Sequence, residues 1–187
     1  MKKNKISKDW LNKQKKDPYF KQSKVEGYRS RSAYKLMEMN EKFNFIKSNS
    51  SLLDLGCSPG GWCQFANKKI VNGRIIGVDI QEMKSINNVE FIKGDFQEVH
   101  IFKEIKDNFN NKINIVLSDM AVNTSGNKNL DTYRTGELCL NAMSLATKIL
   151  VKEGVFLSKI FMGEIFKEIN NKAKKSFKKV AIYKPAS

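Results

Sequence analysis

Apolar residues recur along this chain in two alternating rhythms. Short, nearly continuous apolar runs occur at Ser51–Leu55, Arg74–Asp79, Val89–Ile92, Ile113–Leu117, Val155–Ile160 and Lys178–Tyr183, and each predicts a β-strand. Between them apolar residues return every three to four positions, which predicts helices over Trp62–Val71, about 98–107 and Thr132–Leu150. An earlier helix of about three turns is expected from Ser32, whose hydroxyl can cap it, with Ala33, Leu36, Met37, Met39, Asn40 and Phe43 spaced along it. Strands and helices in alternation, with strands too apolar to face water on either side, predict a parallel sheet covered on both faces. The expectation is therefore a Rossmann-like α/β fold, a doubly wound and mostly parallel sheet. Residues 32–187 would form this one domain, and 1–31 a basic N-terminal extension rich in Lys, Arg, Asn, Gln and Ser.

Charge changes the picture next. The chain has 187 residues, with 34 Lys and Arg against 19 Asp and Glu, a net charge of +15. A surface so positive attracts polyanions, and nucleic acid phosphate or an anionic membrane are the two usual reasons for it. Compositional bias in Lys, Asn and Ile would give the same excess without any partner. No run approaches the ~18 apolar residues of a membrane span, and no apolar core of a signal peptide follows the basic start. Three cysteines, Cys57, Cys63 and Cys139, lack zinc-ligand spacing and are expected as reduced, half-buried thiols, so no metal is predicted.

The most informative stretch is Asp54-Leu55-Gly56-Cys57-Ser58-Pro59-Gly60-Gly61-Trp62, where a strand runs into a glycine-rich turn and then a helix. Bare backbone there lets a ligand approach, but the glycines do not match the G-x-G-x-x-G spacing that cradles a dinucleotide pyrophosphate. The stretch resembles motif I of class I methyltransferases, in which the amino-acid end of S-adenosylmethionine lies across the glycines. Gly56, Pro59, Gly60, Gly61 and Trp62 are thereby candidate cofactor residues. Asp79 ends the next strand, with Ile80 beside it, 23 residues after Gly56 and where such a fold places a carboxylate for a ribose diol. Asp95 and Phe96 follow the third strand and would meet the adenine. Asp119 ends the fourth. Each aspartate alone could be a turn or cap residue; three at successive strand ends favour a ligand site.

Trp10-Leu11, Lys16-Asp17-Pro18-Tyr19, the run Gly27-Tyr28-Arg29-Ser30-Arg31-Ser32-Ala33-Tyr34-Lys35-Leu36, the glycine loop, Ser118-Asp119-Met120-Ala121 and Lys159-Ile160-Phe161 together resemble the FtsJ family of heat-shock ribosomal-RNA methyltransferases, over residues 7–187. The resemblance implies transfer of a methyl group from S-adenosylmethionine to a ribose 2′-hydroxyl, leaving S-adenosylhomocysteine. It also implies a Lys-Asp-Lys-Glu tetrad, of which Lys35, Asp119 and Lys159 match. Lys159 would accept the hydroxyl proton, and Lys35 and Asp119 would position the hydroxyl. Arg29, Arg31 and the lysines of the extension would meet RNA phosphates, while Tyr19 and Tyr28 could stack on exposed bases. Tyr34 is expected in the core instead.

The segment that carries the family's glutamate would follow Lys184-Pro185-Ala186-Ser187, so the natural chain is expected to continue and to supply a further strand. The opening Trp-Leu and Asp-Pro-Tyr are nearer to the bacterial and mitochondrial large-subunit branch, which makes large-subunit ribosomal RNA the expected substrate of a monomer in a mitochondrion, another organelle or the cytoplasm. Two alternatives stand beside this. One is a 2′-O-methyltransferase of transfer RNA or an mRNA cap, and the other a non-catalytic RNA-binding assembly protein with a remnant cofactor pocket.

Overall fold

The computed structural model describes residues 16–110, 112–122 and 125–187. From Asp17 onward two short helices come first, α1 (Pro18–Val25) and α2 (Ser32–Phe43). Asp17 starts α1 by accepting from the Phe20 amide, and Pro18 sits at the first position, where no amide partner is needed. Asn44 ends α2 in the left-handed conformation that the short amide side chain tolerates. Strands and helices then alternate as β1 (Ser51–Leu55), α3 (Gly61–Lys69), β2 (Arg74–Asp79), β3 (Glu90–Lys93), α4 (Val99–Phe109), β4 (Ile113–Ser118), α5 (Lys128–Ile149), β5 (Leu150–Ser158) and α6 (Phe166–Ser176).

The five strands form one sheet in the order β3-β2-β1-β4-β5, and every pairing is parallel. This is the expected doubly wound arrangement. β1 lies at the centre, where the chain reverses its direction of sheet growth, and ligands in such sheets bind beyond the carboxyl ends of the strands beside that switch. Leu52 faces the side covered by α2 and α3, in a cluster with Leu36, Trp62, Phe65 and Ile75. Leu53 and Leu55 face the side covered by α4 and α5, against Ile105, Ala142 and Ala146. All three leucines are fully buried. At ~1.5–3 kcal/mol each they outweigh the few kcal/mol that burying Asp54 between them costs.

Three expectations are corrected. The long helix begins at Lys128, four residues before the predicted Thr132, because Asn127 caps it by accepting from the amides of Asn129 and Leu130. β5 begins at Leu150, directly after α5, and is irregular: Ile113 pairs with Leu150 but Ile115 with Val155, so the residues between bulge outward around Glu153, whose φ is +65°. Lys178–Tyr183 is not a strand. That segment leaves α6 after Phe177 stacks on Phe156, with ring centroids 5.9 Å apart, and runs irregularly back to α2. There the Tyr183 hydroxyl donates to Glu38, the Ala186 amide donates to the same carboxylate at 2.9 Å, and the Tyr183 ring packs edge-on against Phe43. The phenol and the amide hold the Glu38 carboxyl below its usual range.

The end of the N-terminal extension packs onto the domain. Tyr28 and Tyr34 are buried and form an aromatic group with Tyr19, centroids 5.6–5.7 Å apart. Tyr34 is in the core as expected, and burial together with Glu26 pushes its hydroxyl up to about 12. Tyr28 is in the core too, so it is not free to stack on a base. Trp10, Leu11 and the first lysines lie outside the described residues.

Candidate active site

A cleft of about 260 Å³ opens at the carboxyl ends of β1 to β4. It is lined by Gly56, Asp79, Asp95, Phe96 and Asp119, all predicted, and also by Ser58, Met120 and Leu138. Each acidic wall residue comes from a strand end, so the sheet itself sets their spacing. Asp79 accepts from the Ser58 amide at 2.9 Å and the Gln81 amide at 2.8 Å, which fixes the carboxylate between the glycine loop and the turn after β2. Each oxygen keeps a lone pair for a hydroxyl donor. Asp95 accepts from the Gln97 amide at 2.9 Å, and Gln97 is held by Asn141 of α5. Phe96 is buried beside it. Ile80 lines the rim and is exposed.

Lys159 follows β5 directly and its amide donates to the Ser118 carbonyl, which continues the β4–β5 ladder by one bond. Its ammonium lies 2.8 Å from Asp119 Oδ1 and donates to the Asp119 carbonyl at 2.7 Å. The Oδ1 contact lacks the directional geometry of a hydrogen bond, so this buried oxygen has an attractive charge nearby but no donor aligned on it. Lys35 lies half-buried one turn into α2, and among the described residues it makes no hydrogen bond or ion pair. The structure thus brings Asp119 and Lys159 together; Lys35 stands on a separate element.

The glycine loop behaves differently from the expectation of bare backbone presented to a ligand. Gly56, at φ +73°, faces Met120, and an added Cβ would lie 2.3 Å from its Cγ. Gly60, at φ +108°, is enclosed by Ile86, Met83 and Arg29. Pro59, Gly60, Gly61 and Trp62 lie outside the cleft lining. The Trp62 indole donates to the Ser32 carbonyl at 2.8 Å, tying α3 to the start of α2. Of the five, Gly56 lines this cleft.

Beneath the loop, Asp54 is buried on β1, accepting from the Cys63 thiol at 3.2 Å with its other oxygen unpartnered. Burial pushes its carboxyl up to about 7, against the lowering effect of the thiol, and the charges of Asp119 and Asp79 add to the rise. Cys57, Cys63 and Cys139 are free thiols and buried, deeper than expected.

Neither arginine expected on RNA is unpartnered. Arg31 pairs with Asp17. Arg29 turns its guanidinium onto the carbonyls of Pro59, Lys84 and Ser85. Ser58, Gln64 and Asp54 were the residues sequence reasoning missed. The signal was present for Ser58, a small polar residue inside the glycine loop, and absent for Gln64, whose partners lie 35–37 residues away.

The donor set suits S-adenosylmethionine. Its α-ammonium and sulfonium cations favour a cleft walled by carboxylates, its ribose diol needs acceptors such as Asp79, and its adenine needs an apolar face such as Phe96 with an acceptor at Asp95. Among the described residues no helix is long and apolar enough to cross a membrane and no acidic, His or Cys cluster could hold a metal ion.

Comparison with known proteins agrees with this geometry. The model of the FtsJ-like methyltransferase family matches residues 28–187. The ribosomal RNA large subunit methyltransferase E of Pelagibacter ubique is 50% identical over the whole of this chain and 92% of its own length. The protein of the same name from Rickettsia akari is 43% identical over 96% of this chain and 82% of its own. The crystal structure of a putative ribosomal RNA methyltransferase from Plasmodium falciparum superposes with a TM-score of 0.79 at 34% identity, covering 85% of this chain and 92% of that one. The chain belongs to the FtsJ-like methyltransferase family, whose members take their methyl group from S-adenosylmethionine.

Proposed function

We propose that this protein methylates a ribose 2′-hydroxyl of large-subunit ribosomal RNA. The observation that carries the reading is the Lys159–Asp119 pair at the edge of a carboxylate-walled cleft. The methyl donor, when bound, supplies an electrophilic methyl group on a sulfonium. The protein has then to bring a weakly nucleophilic hydroxyl into line and to take its proton as the new bond forms. In its neutral form the Lys159 amine can do this, since a lone pair at the strand end lies within reach of an acceptor placed over Asp119. Asp119 holds that amine in one place through both its carbonyl and its carboxylate. Lys35 would complete the grip on the incoming ribose from α2. Asp79 and Asp95 would bind the nucleoside part of the donor, with Gly56 leaving room for Met120 to close the cleft floor.

The choice of ribosomal RNA rests on the names of the relatives at 43–50% identity, and the net charge of +15 fits a polyanionic substrate. The test is transfer of radiolabelled methyl from S-adenosylmethionine to isolated large and small subunits and to bulk transfer RNA. Label in alkali-resistant dinucleotides of large-subunit RNA is expected. Label confined to transfer RNA would redirect the substrate, and tight cofactor binding with no label in any RNA would favour a lapsed enzyme.

A further inference from the structure

Arg29 was expected on the RNA because it is an arginine in a basic extension. Its geometry is that of an internal strut. Nη1 donates to the Pro59 carbonyl at 3.2 Å and to the Lys84 carbonyl at 2.5 Å, and Nη2 donates to the Ser85 carbonyl at 2.7 Å. The first carbonyl belongs to the glycine loop and the other two to the turn that follows Asp79. Those segments supply adjoining walls of the cleft, Gly56 and Ser58 from one and Asp79 and Gln81 from the other, in contact where the Ser58 amide donates to Asp79. Arg29 itself is not part of the cleft lining and touches both walls from outside.

The strut is itself held. The Arg29 amide donates to Gln64 Oε1 at 2.7 Å, and Gln64 Nε2 donates back to the Gly27 carbonyl at 3.0 Å, so the backbone around Arg29 is fixed to the first turn of α3. On the cleft side Ser58 joins the same two segments as well, through Asp79 and the Glu82 carbonyl. A planar guanidinium with five fixed donors can bridge three carbonyls at once; an ammonium on a flexible stem cannot hold the same spacing. Among the described residues Arg29 has no carboxylate partner. Its charge is satisfied by carbonyl dipoles belonging to the two walls.

We propose that Arg29 is a positioning residue for the cofactor cleft, setting the separation of the glycine loop and the turn after Asp79, and that its side chain serves donor binding rather than RNA binding. This rests on the reading of the cleft as the S-adenosylmethionine site.

The test measures S-adenosylhomocysteine affinity by calorimetry for the wild type, Arg29→Lys and Arg29→Ala. Dissociation constants raised on the order of tenfold are expected for Arg29→Ala, with Arg29→Lys falling between it and the wild type. The Michaelis constant for the cofactor should rise further than kcat falls, while RNA affinity and its salt slope at saturating cofactor stay at the wild-type value. Hydrogen exchange without ligand gives a second readout that does not need activity: amides of residues 56–61 and 80–88 should exchange faster in Arg29→Lys, with those of β1 unchanged. Unchanged S-adenosylhomocysteine affinity in both variants overturns the proposal, as does a loss confined to RNA binding with a shallower salt slope. If the wild-type protein itself binds no S-adenosylhomocysteine, the cofactor reading fails first and this proposal with it.

Discussion

Lys159 meets Asp119 twice, donating to its backbone carbonyl at 2.7 Å and standing 2.8 Å from its carboxylate. Side chains at the ends of neighbouring parallel strands lie close because β4 and β5 end in register, Ser118 beside Ser158. Replacing Lys159 with alanine should lower kcat by about 10²–10⁴, the range expected for loss of a proton-transfer group. The dissociation constant for S-adenosylmethionine should stay within about twofold, measured by calorimetry. Lost cofactor binding would remove Lys159 from the proton-accepting role.

Asp79 carries two backbone amides and faces the cleft, so its removal costs the protein two acceptors and the cofactor its hydroxyl partner. Asp79→Ala is expected to weaken S-adenosylmethionine binding by about 1–3 kcal/mol. Asp79→Asn should lose less, since an amide oxygen still accepts. Equal affinity in wild type and alanine variant would take the residue out of the site.

Asp54 makes stability depend on pH. Its carboxyl titrates near 3.8 in the unfolded chain and at about 7 in the folded one, where burial disfavours the charge. Between those values the native state holds a proton that the unfolded state has released, so this group's contribution falls as pH rises from about 4 to 7 and stays low above. Asp54→Asn keeps an acceptor for the Cys63 thiol and removes the titration. Urea unfolding at pH 5 and pH 8 should show the wild type losing on the order of a few kcal/mol more than the variant across that interval. Parallel pH profiles would mean that Asp54 stays ionised in the fold.

RNA affinity should fall linearly on a log–log plot as salt is raised, with a slope set by the number of phosphates neutralised. Arg31→Ala should shallow the slope by less than one contact, because Asp17 already shares that charge. A flat salt response would assign the excess of lysines to composition alone.

The sheet and the carboxylates at its strand ends were legible in the sequence because both follow from local rules. A buried parallel strand must be apolar on both faces, as Leu52 and Leu53 are, and a carboxylate such as Asp79 stands out where such a run stops. The strand expected at Lys178–Tyr183 failed for the same reason. The short apolar run Val180-Ala181-Ile182-Tyr183 read as strand, yet a strand exists only with a partner, and here the Tyr183 hydroxyl and the following Ala186 amide turn to Glu38. Arg29 was illegible in a third way. Composition reports a charge and cannot report that Pro59, Lys84 and Ser85, 30 to 56 residues away, have turned their carbonyls towards it.

The central position of β1 sets a timetable for synthesis. Leu52 pairs with Ile75 on one side and with Ile115 on the other, and the second partner lies 63 residues further along the chain. At ~5–20 residues per second, the free edge of the central strand waits for roughly 3–12 s after β1 is made before β4 exists to cover it. During that interval Leu52, Leu53 and Leu55 are shielded by β2 and whatever α3 can cover. A nascent chain halted before Ile113 would carry that edge indefinitely, and its solubility, compared with a chain halted after Ser158, measures how much of the protein's fate is decided before β5 emerges.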